Sequence, residues 1–222
     1  MYTINLGFFQ NLSSNGSFPT KNWKRNLKTG EMKKHIVKIK SIGFINYNIL
    51  QIVTEKPENY DFEPGQATEI AINQKDWKEE KRPFTFTNLP REDDLQFTIK
   101  VYPSHDGVTE KLSKLKVGNE LVLGEVFGAI QFKGKGTFLA GGAGITPFIA
   151  IFKSLEYQNE MNRNSLIFAN KTEKDIFLKQ EFETLLGRRN SKVSHRSYRR
   201  GLFEIYHNRF FTVFLCLRPT GK

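Results

Sequence analysis

Residues 136–147 read Gly136-Thr137-Phe138-Leu139-Ala140-Gly141-Gly142-Ala143-Gly144-Ile145-Thr146-Pro147. The start, residues 137–140, suits a short, mostly apolar strand. Three glycines in four residues then make a turn, and Thr146 and Pro147 open a helix. The threonine is expected at the N-cap and the proline at the first helical position, where its missing N–H costs least. Phe148, Ile151, Phe152 and Leu155 give that helix one apolar face. Residues 166–169 form the next apolar strand. Thr172 and Asp175 make a capping-box pattern ahead of a second helix carrying Leu178, Phe182, Leu185 and Leu186, closed by Gly187. Strand–helix–strand–helix specifies a parallel sheet with crossover helices. The amides at such a glycine-rich helix mouth are unpaired donors at the positive end of the dipole. They suit an anion such as a pyrophosphate, and glycine lets it come close. The spacing is not G-x-G-x-x-G.

Upstream the period changes. Leu95, Phe97, Ile99 and Val101 alternate with Gln96, Thr98 and Lys100, the pattern of a half-buried strand. Residues 68–72 and 121–123 are shorter strand candidates, and 49–53 is an apolar run. Pro64-Gly65, Asn88 with Pro90, His105-Asp106-Gly107 and Lys116-Val117-Gly118 supply turns. Val108, Leu112 and Leu115 fall at i, i+4 and i+7, which predicts one short helix. Residues 35–130 therefore read as an antiparallel β-barrel or sandwich with a small helix. The expected organisation is a flexible leader over 1–33, a β-barrel over 34–132 and an α/β domain over 133–222, atypical after 187.

The chain has 222 residues and a net charge of +11. Its single cysteine, Cys216, excludes an intrachain disulfide and a cysteine-based zinc or iron–sulfur site. No apolar stretch is long enough for a membrane-spanning helix, and the N-terminus lacks a signal-peptide pattern. A cytoplasmic setting is expected. The positive charge invites a nucleic-acid reading, but its distribution opposes one. Residues 21–40 and 188–222 together hold a net +15, whereas 41–185 hold −4.

Three further segments bear on chemistry. Arg82-Pro83-Phe84-Thr85 is one extended segment with a guanidinium, an aromatic ring and a hydroxyl. Neighbours 84 and 85 point to opposite faces, and the guanidinium suits a phosphate. An ordinary strand with a surface arginine reads the same way. Asp106-Gly107-Val108-Thr109 opens the small helix, as an anion contact or a structural cap. Arg188, Arg189, Lys192, Arg196, Arg199 and Arg200 form a run with no acid between them. It reads as a 2′-phosphate site, a docking patch for an acidic partner, or a solvated tail. The four histidines are scattered without metal-ligand spacing.

In this order, these motifs resemble the ferredoxin–NADP reductase superfamily. Phe62-Glu63-Pro64-Gly65-Gln66 looks like its turn ahead of the third barrel strand. Arg82, Phe84 and Thr85 are similar to its Arg-x-Tyr-Ser/Thr motif, with Phe84 in place of tyrosine. Residues 107–109 match its phosphate-contacting turn, and 141–147 its Gly-Gly-x-Gly-Ile-Thr-Pro. The resemblance covers about residues 35–187. It implies an FAD-binding barrel and an NAD(P)H-binding α/β domain. Arg82 would pair with the FAD pyrophosphate, Phe84 would pack on the flavin, and Thr85 would sit near N5. Gly107, Val108 and Thr109 would contact phosphate. Gly141, Gly142, Gly144 and Thr146 would hold NAD(P)H, with Arg196 and Arg199 at a 2′-phosphate. Cys216 would lie near the nicotinamide, although Leu217 stands where the family has glycine. The implied activity is hydride transfer from NAD(P)H to FAD, then single electrons to a ferredoxin, a flavodoxin or a small acceptor. No nucleic-acid partner and no membrane span are expected. A flavin-binding protein without turnover is the alternative that the atypical C-terminus leaves open.

Overall fold

Inward-facing alternation builds the first half of the computed structural model, which describes residues 34–102 and 106–187 and the backbone of two short strands, 191–194 and 215–217. Six strands form one antiparallel sheet. They are β1 (His35–Asn46), β2 (Ile49–Glu55), β3 (Ala67–Ile72), β4 (Arg82–Thr85), β5 (Asp94–Lys100) and β6 (Glu120–Phe127). Their order is β4-β3-β6-β1-β2-β5. The sheet closes on itself just beyond β4. Phe86 bridges to Phe97 of β5, and the Thr87 N–H donates to the Gln96 carbonyl at 2.8 Å. Closure removes the free edges that an open sheet would expose. The choice between barrel and sandwich thus resolves as a barrel.

Leu95, Phe97, Ile99 and Val101 all point into the barrel core, as their spacing requires. Phe86 lies at the centre, fully buried. Its ring stacks on Phe62 with centroids 4.1 Å apart and meets Phe97 at 5.4 Å. Helix α1 (Val108–Ser113) plugs one end with Val108 and Leu112, and Leu115 follows. The 121–123 candidate is the middle of a longer strand, β6. Its outer half, where Glu125 alternates with half-buried neighbours, is less apolar and escapes a search for apolar runs.

The second half is a four-stranded sheet of β7 (Thr137–Gly141), β8 (Ser165–Ala169), β9 (Ser191–Ser194) and β10 (Leu215–Leu217), ordered β10-β7-β8-β9. β7, β8 and β9 are parallel, and β10 runs antiparallel to β7. Helices α2 (Thr146–Tyr157) and α3 (Lys179–Leu186) pack through phenylalanines. Phe152 meets Phe138 at 4.8 Å and Phe182 at 6.1 Å, and Phe168 meets Phe182 at 6.1 Å. Among the described residues, no helix is long and apolar enough to cross a membrane.

Two helix starts differ from the sequence expectation. Thr146 is not an N-cap: residues Gly142–Ile145 already form a 3-10 turn, so Ile145 takes the cap position and Thr146 is the first α-helical residue. Its hydroxyl donates back to the Ala143 carbonyl at 3.1 Å. Small residues let the backbone tighten one turn early, which shifts Pro147 to the second helical position. The Thr172–Asp175 capping box closes a 3-10 turn, Glu173–Asp175, rather than α3. Leu178 adopts φ 54°, so the helix starts only at Lys179. The 1–33 leader and the basic residues Arg188, Arg189, Arg196, Arg199 and Arg200 lie outside the described residues.

Several contacts join the halves, and two of them constrain the chain most closely. Asp175, itself buried, accepts the Tyr47 hydroxyl at 2.7 Å and the Lys100 ammonium at 3.2 Å on Oδ1. Its Oδ2 accepts the Thr172 hydroxyl at 2.7 Å and the Thr172 N–H at 3.1 Å. Asn46 adds a bond to the Lys174 carbonyl at 2.8 Å. Gly65 is the second contact. It sits at φ +103°, and a Cβ there would collide with the Ile130 carbonyl oxygen and lie 3.2 Å from Ile151 Cδ1. The Pro64-Gly65 turn thus seats the barrel under the connecting segment and α2, where no side chain fits.

Burial alone would raise the Asp175 carboxyl. Hydrogen bonds from Tyr47, Thr172 and Lys100 and the Lys100 charge outweigh it, holding the group well below its ordinary 3.8. Its contribution to stability is therefore complete above about pH 5 and is lost progressively as pH falls toward the folded value. Asp175→Asn is expected to cost about 2 kcal/mol in urea unfolding at pH 7 and to flatten the acid limb below about pH 5. Gly65→Ala is expected to cost about 2 kcal/mol or more in the same assay, through strain and collision together.

Candidate functional site

β4 carries the first group of candidate residues and pairs only with β3 over its four residues. Arg82 is exposed at its start; the guanidinium donates to the Lys81 carbonyl at 2.7 Å and pairs with Glu80 at 3.2 Å. Glu80 is itself exposed, so this pair is weak and exchangeable. Phe84 and Thr85 lie on opposite faces. Phe84 is half-buried against the barrel core, on the side of Thr68 and Val126. Thr85 is half-exposed on the outer face. Directly opposite residues share a face. Ala67 pairs with both Thr85 and Phe127, so these three form one outer row. Phe127 is 43% exposed, and Ala67 between it and Thr85 leaves the row shallow. The row spans two strand spacings, roughly 10 Å.

Gly107, Val108 and Thr109 begin α1. Gly107 is extended, with φ −96° and ψ 174°, and no side chain caps the helix. Val108 is buried in the core, which leaves its backbone rather than its side chain for contact. Lys111 of α1 stands 5.7 Å over the ring of Trp77, in the loop leading to Arg82. The small helix thereby packs against the loop that precedes β4.

The glycine turn lies at the C-terminal end of β7, the end of a parallel sheet where α/β folds bind ligands. Gly141 is exposed, and a Cβ at Gly141 or at Gly142 would meet nothing within 4 Å among the described residues. Packing does not explain the missing side chains. For Gly142 the backbone does, since φ is +52°; Gly141 is ordinarily extended, with φ −121°. Gly144 is buried, and Thr146 is half-buried. Two helical turns beyond Thr146, about 10 Å on, the Lys153 ammonium binds the Thr87 carbonyl at 2.9 Å and Gln96 Oε1 at 3.3 Å. Thr87 lies two residues beyond Thr85, so α2 links the glycine turn to the end of β4. The backbone register sets Cys216 opposite Phe138, three positions short of Gly141 on β7.

Sequence reading missed Ala67, Phe127, Lys153 and Asn170. Asn170 follows β8, beside the glycine turn, and is buried with neither amide atom hydrogen-bonded among the described residues. Its only sequence signal is a polar residue directly after an apolar strand. Among the described residues, no group of three or more His, Cys, Asp or Glu is placed to hold a metal.

Comparison with known proteins agrees with this layout. Residues 34–162 match the family "FAD-binding domain", and residues 138–201 match "Oxidoreductase NAD-binding domain". The chain belongs to the ferredoxin–NADP reductase superfamily. Its fold superposes on a ferredoxin NADP+ reductase from Neisseria gonorrhoeae with bound FAD and NADP, with TM-score 0.61 and 18% identity, covering 73% of this chain and 68% of that one. It also superposes on the FAD/NAD-binding domain of a nitric oxide dioxygenase from Vibrio cholerae, with TM-score 0.63 and 18% identity, covering 78% and 81%. An NADH-cytochrome b5 reductase 2 from Mycosarcoma maydis is 28% identical over 66% of this chain and 45% of its own length. The chain spans under half the length of the curated relatives first matched.

In this superfamily member, Arg82, Phe84, Thr85 and residues 107–109 fall in the FAD-binding match, and the glycine turn falls where both matches overlap. The residues fit both cofactors. Among the described residues, an exposed guanidinium, an open row and a helix start are available to FAD, and two glycines facing open space and an unbonded buried amide are available to a nicotinamide nucleotide.

Gly141→Val separates ligand binding from folding. Its extended backbone and open surroundings accept a side chain, so the melting temperature is expected to stay within about 2 °C. The added bulk is expected to weaken NAD+ binding tenfold or more, measured by calorimetry on the FAD-loaded protein.

Proposed function

We propose that this protein is a flavin-dependent oxidoreductase that oxidises NAD(P)H and passes electrons singly to a separate carrier. One observation carries the reading most directly: Gly141 and Gly142 leave open space at a helix mouth that α2 connects to the end of β4. The chemistry the bound groups would supply is hydride transfer from nicotinamide to flavin, followed by one-electron release. The chain's part is to bind, orient and exclude water.

In this reading residues 34–132 form the FAD domain and 133–222 the nicotinamide-nucleotide domain. Arg82 exchanges its solvated partner Glu80 for the FAD pyrophosphate, a charge-assisted pairing with better fork geometry. Thr85 offers a hydroxyl toward the flavin N5, and Phe84, half-buried on the opposite face of the strand, packs its ring on the flavin. Gly107, Val108 and Thr109 contribute amide and hydroxyl contacts to phosphate. Gly141, Gly142, Gly144 and Thr146 receive the nucleotide, and Arg196 and Arg199 read a 2′-phosphate where one is present. Cys216 contributes through its strand beside β7. The acceptor is a separate one-electron carrier: a ferredoxin, a flavodoxin or, given the reductases to which the chain is similar, a cytochrome b5.

The purified protein is expected to be yellow, with a flavin absorption spectrum, and to oxidise NADH or NADPH with ferricyanide as acceptor. Arg82→Ala is expected to lower FAD retention tenfold or more, read as released flavin fluorescence. A flavin-loaded protein that oxidises neither nucleotide would leave only the flavin-binding reading.

A further inference from the structure

Among the described residues, the other two buried asparagines are paired on both amide atoms, and in the half-buried Asn48 only Oδ1 is a buried atom without a partner. Asn88 donates from Nδ2 to the Asp94 carbonyl at 2.7 Å and accepts the Gln96 N–H on Oδ1 at 2.9 Å. Asn164 accepts the Gly136 N–H on Oδ1 at 3.1 Å and donates to the Met161 carbonyl at 3.3 Å. Asn170 differs in leaving both amide atoms unpaired. It is 7% exposed, and among the described residues neither Oδ1 nor Nδ2 has a hydrogen-bond partner. A buried amide without partners is costly, and native proteins seldom keep one without a use for it.

Position gives that use. Ala169 pairs with Gly141 across the parallel ladder, so Asn170 is the first residue past β8 at the crest where the glycine turn begins. Strand alternation sets it on the side of Leu166 and Phe168, where α2 and α3 pack. Adjacent strands are about 4.8 Å apart. The amide therefore stands within one residue's reach of the open space at Gly141 and Gly142.

Chemistry narrows the partner. Phosphate oxygens accept only, and would satisfy Nδ2 while leaving Oδ1 bare. The vicinal diol of a ribose presents two hydroxyls, one able to accept from Nδ2 while the other donates to Oδ1. The groups bonded directly to a pyrophosphate in a dinucleotide are riboses. We propose that Asn170 is a nucleotide-binding residue whose side-chain amide pairs with a ribose diol of the nicotinamide nucleotide at the glycine turn. This rests on the nucleotide reading above and adds a residue to it.

The test uses the FAD-loaded protein and equilibrium binding of NAD+ and of ADP-ribose by calorimetry, with no turnover. Asn170→Leu keeps the side chain's approximate size and removes its polar atoms. The expected result is about tenfold weaker binding of both ligands with an unchanged or higher melting temperature. Binding of both within twofold of the parent overturns the proposal, whatever the melting temperature. A loss confined to NAD+ moves the amide to the nicotinamide carboxamide and also overturns it. If N170L fails to fold, Asn170→Ala decides, since it removes both polar atoms without adding bulk or charge. Tenfold or greater weakening of both ligands supports the assignment, and unchanged affinity overturns it. A parent protein that binds neither ligand defeats the nucleotide reading itself, a result distinct from any difference between parent and variant.

Discussion

One carboxylate holds the two halves of this molecule in register. Asp175 accepts four hydrogen bonds, two from the barrel through Tyr47 and Lys100 and two from its own turn through Thr172. Those bonds keep the group ionised inside the interface. A charge buried without those donors would instead favour its neutral form. Any chemistry between a barrel-bound ring and a sheet-bound nucleotide depends on this alignment, because hydride transfer tolerates little error in distance.

Gly65 imposes the matching steric constraint from the other side of the contact. The barrel turn nests against Ile130 and Ile151 because it lacks a side chain. Ile49 of β2 belongs to the core packed around α2, not to the barrel core. The barrel thus lends an apolar residue to its neighbour's core. Polar bonds, a missing Cβ and a shared isoleucine act on one interface. Together they give it the character of an interior rather than of two surfaces touching.

Much of this was legible from residue pattern. The alternation from Leu95 to Val101 located β5, and the i, i+4, i+7 spacing of Val108, Leu112 and Leu115 located α1, because burial follows the period of the backbone. The glycine-rich turn was placed at the end of β7 for the same reason. The start of α2 was less legible: a cap is a competition among local hydrogen bonds, and the glycines allowed a 3-10 turn that outran the threonine. The Thr172–Asp175 box showed the same limit. Its bonds formed, yet Leu178 turned left-handed and the helix waited until Lys179. Ala67 and Phe127 carry no motif, and they became neighbours of Thr85 only through pairing across β3.

The sequence by itself determined the two architectures, their order and the motifs that mark the family. All of these rest on period, turn chemistry and short-range spacing. Tertiary structure decided the rest: that the β-sheet closes at Phe86 and Phe97, that Asp175 meets Tyr47 and Lys100, and that Asn170 is buried beside the glycine turn without a partner among the described residues. The physical reason is the same in each case. Hydrogen-bond satisfaction and close packing are properties of atoms brought together from distant positions, and no local window of sequence contains both sides of the contact.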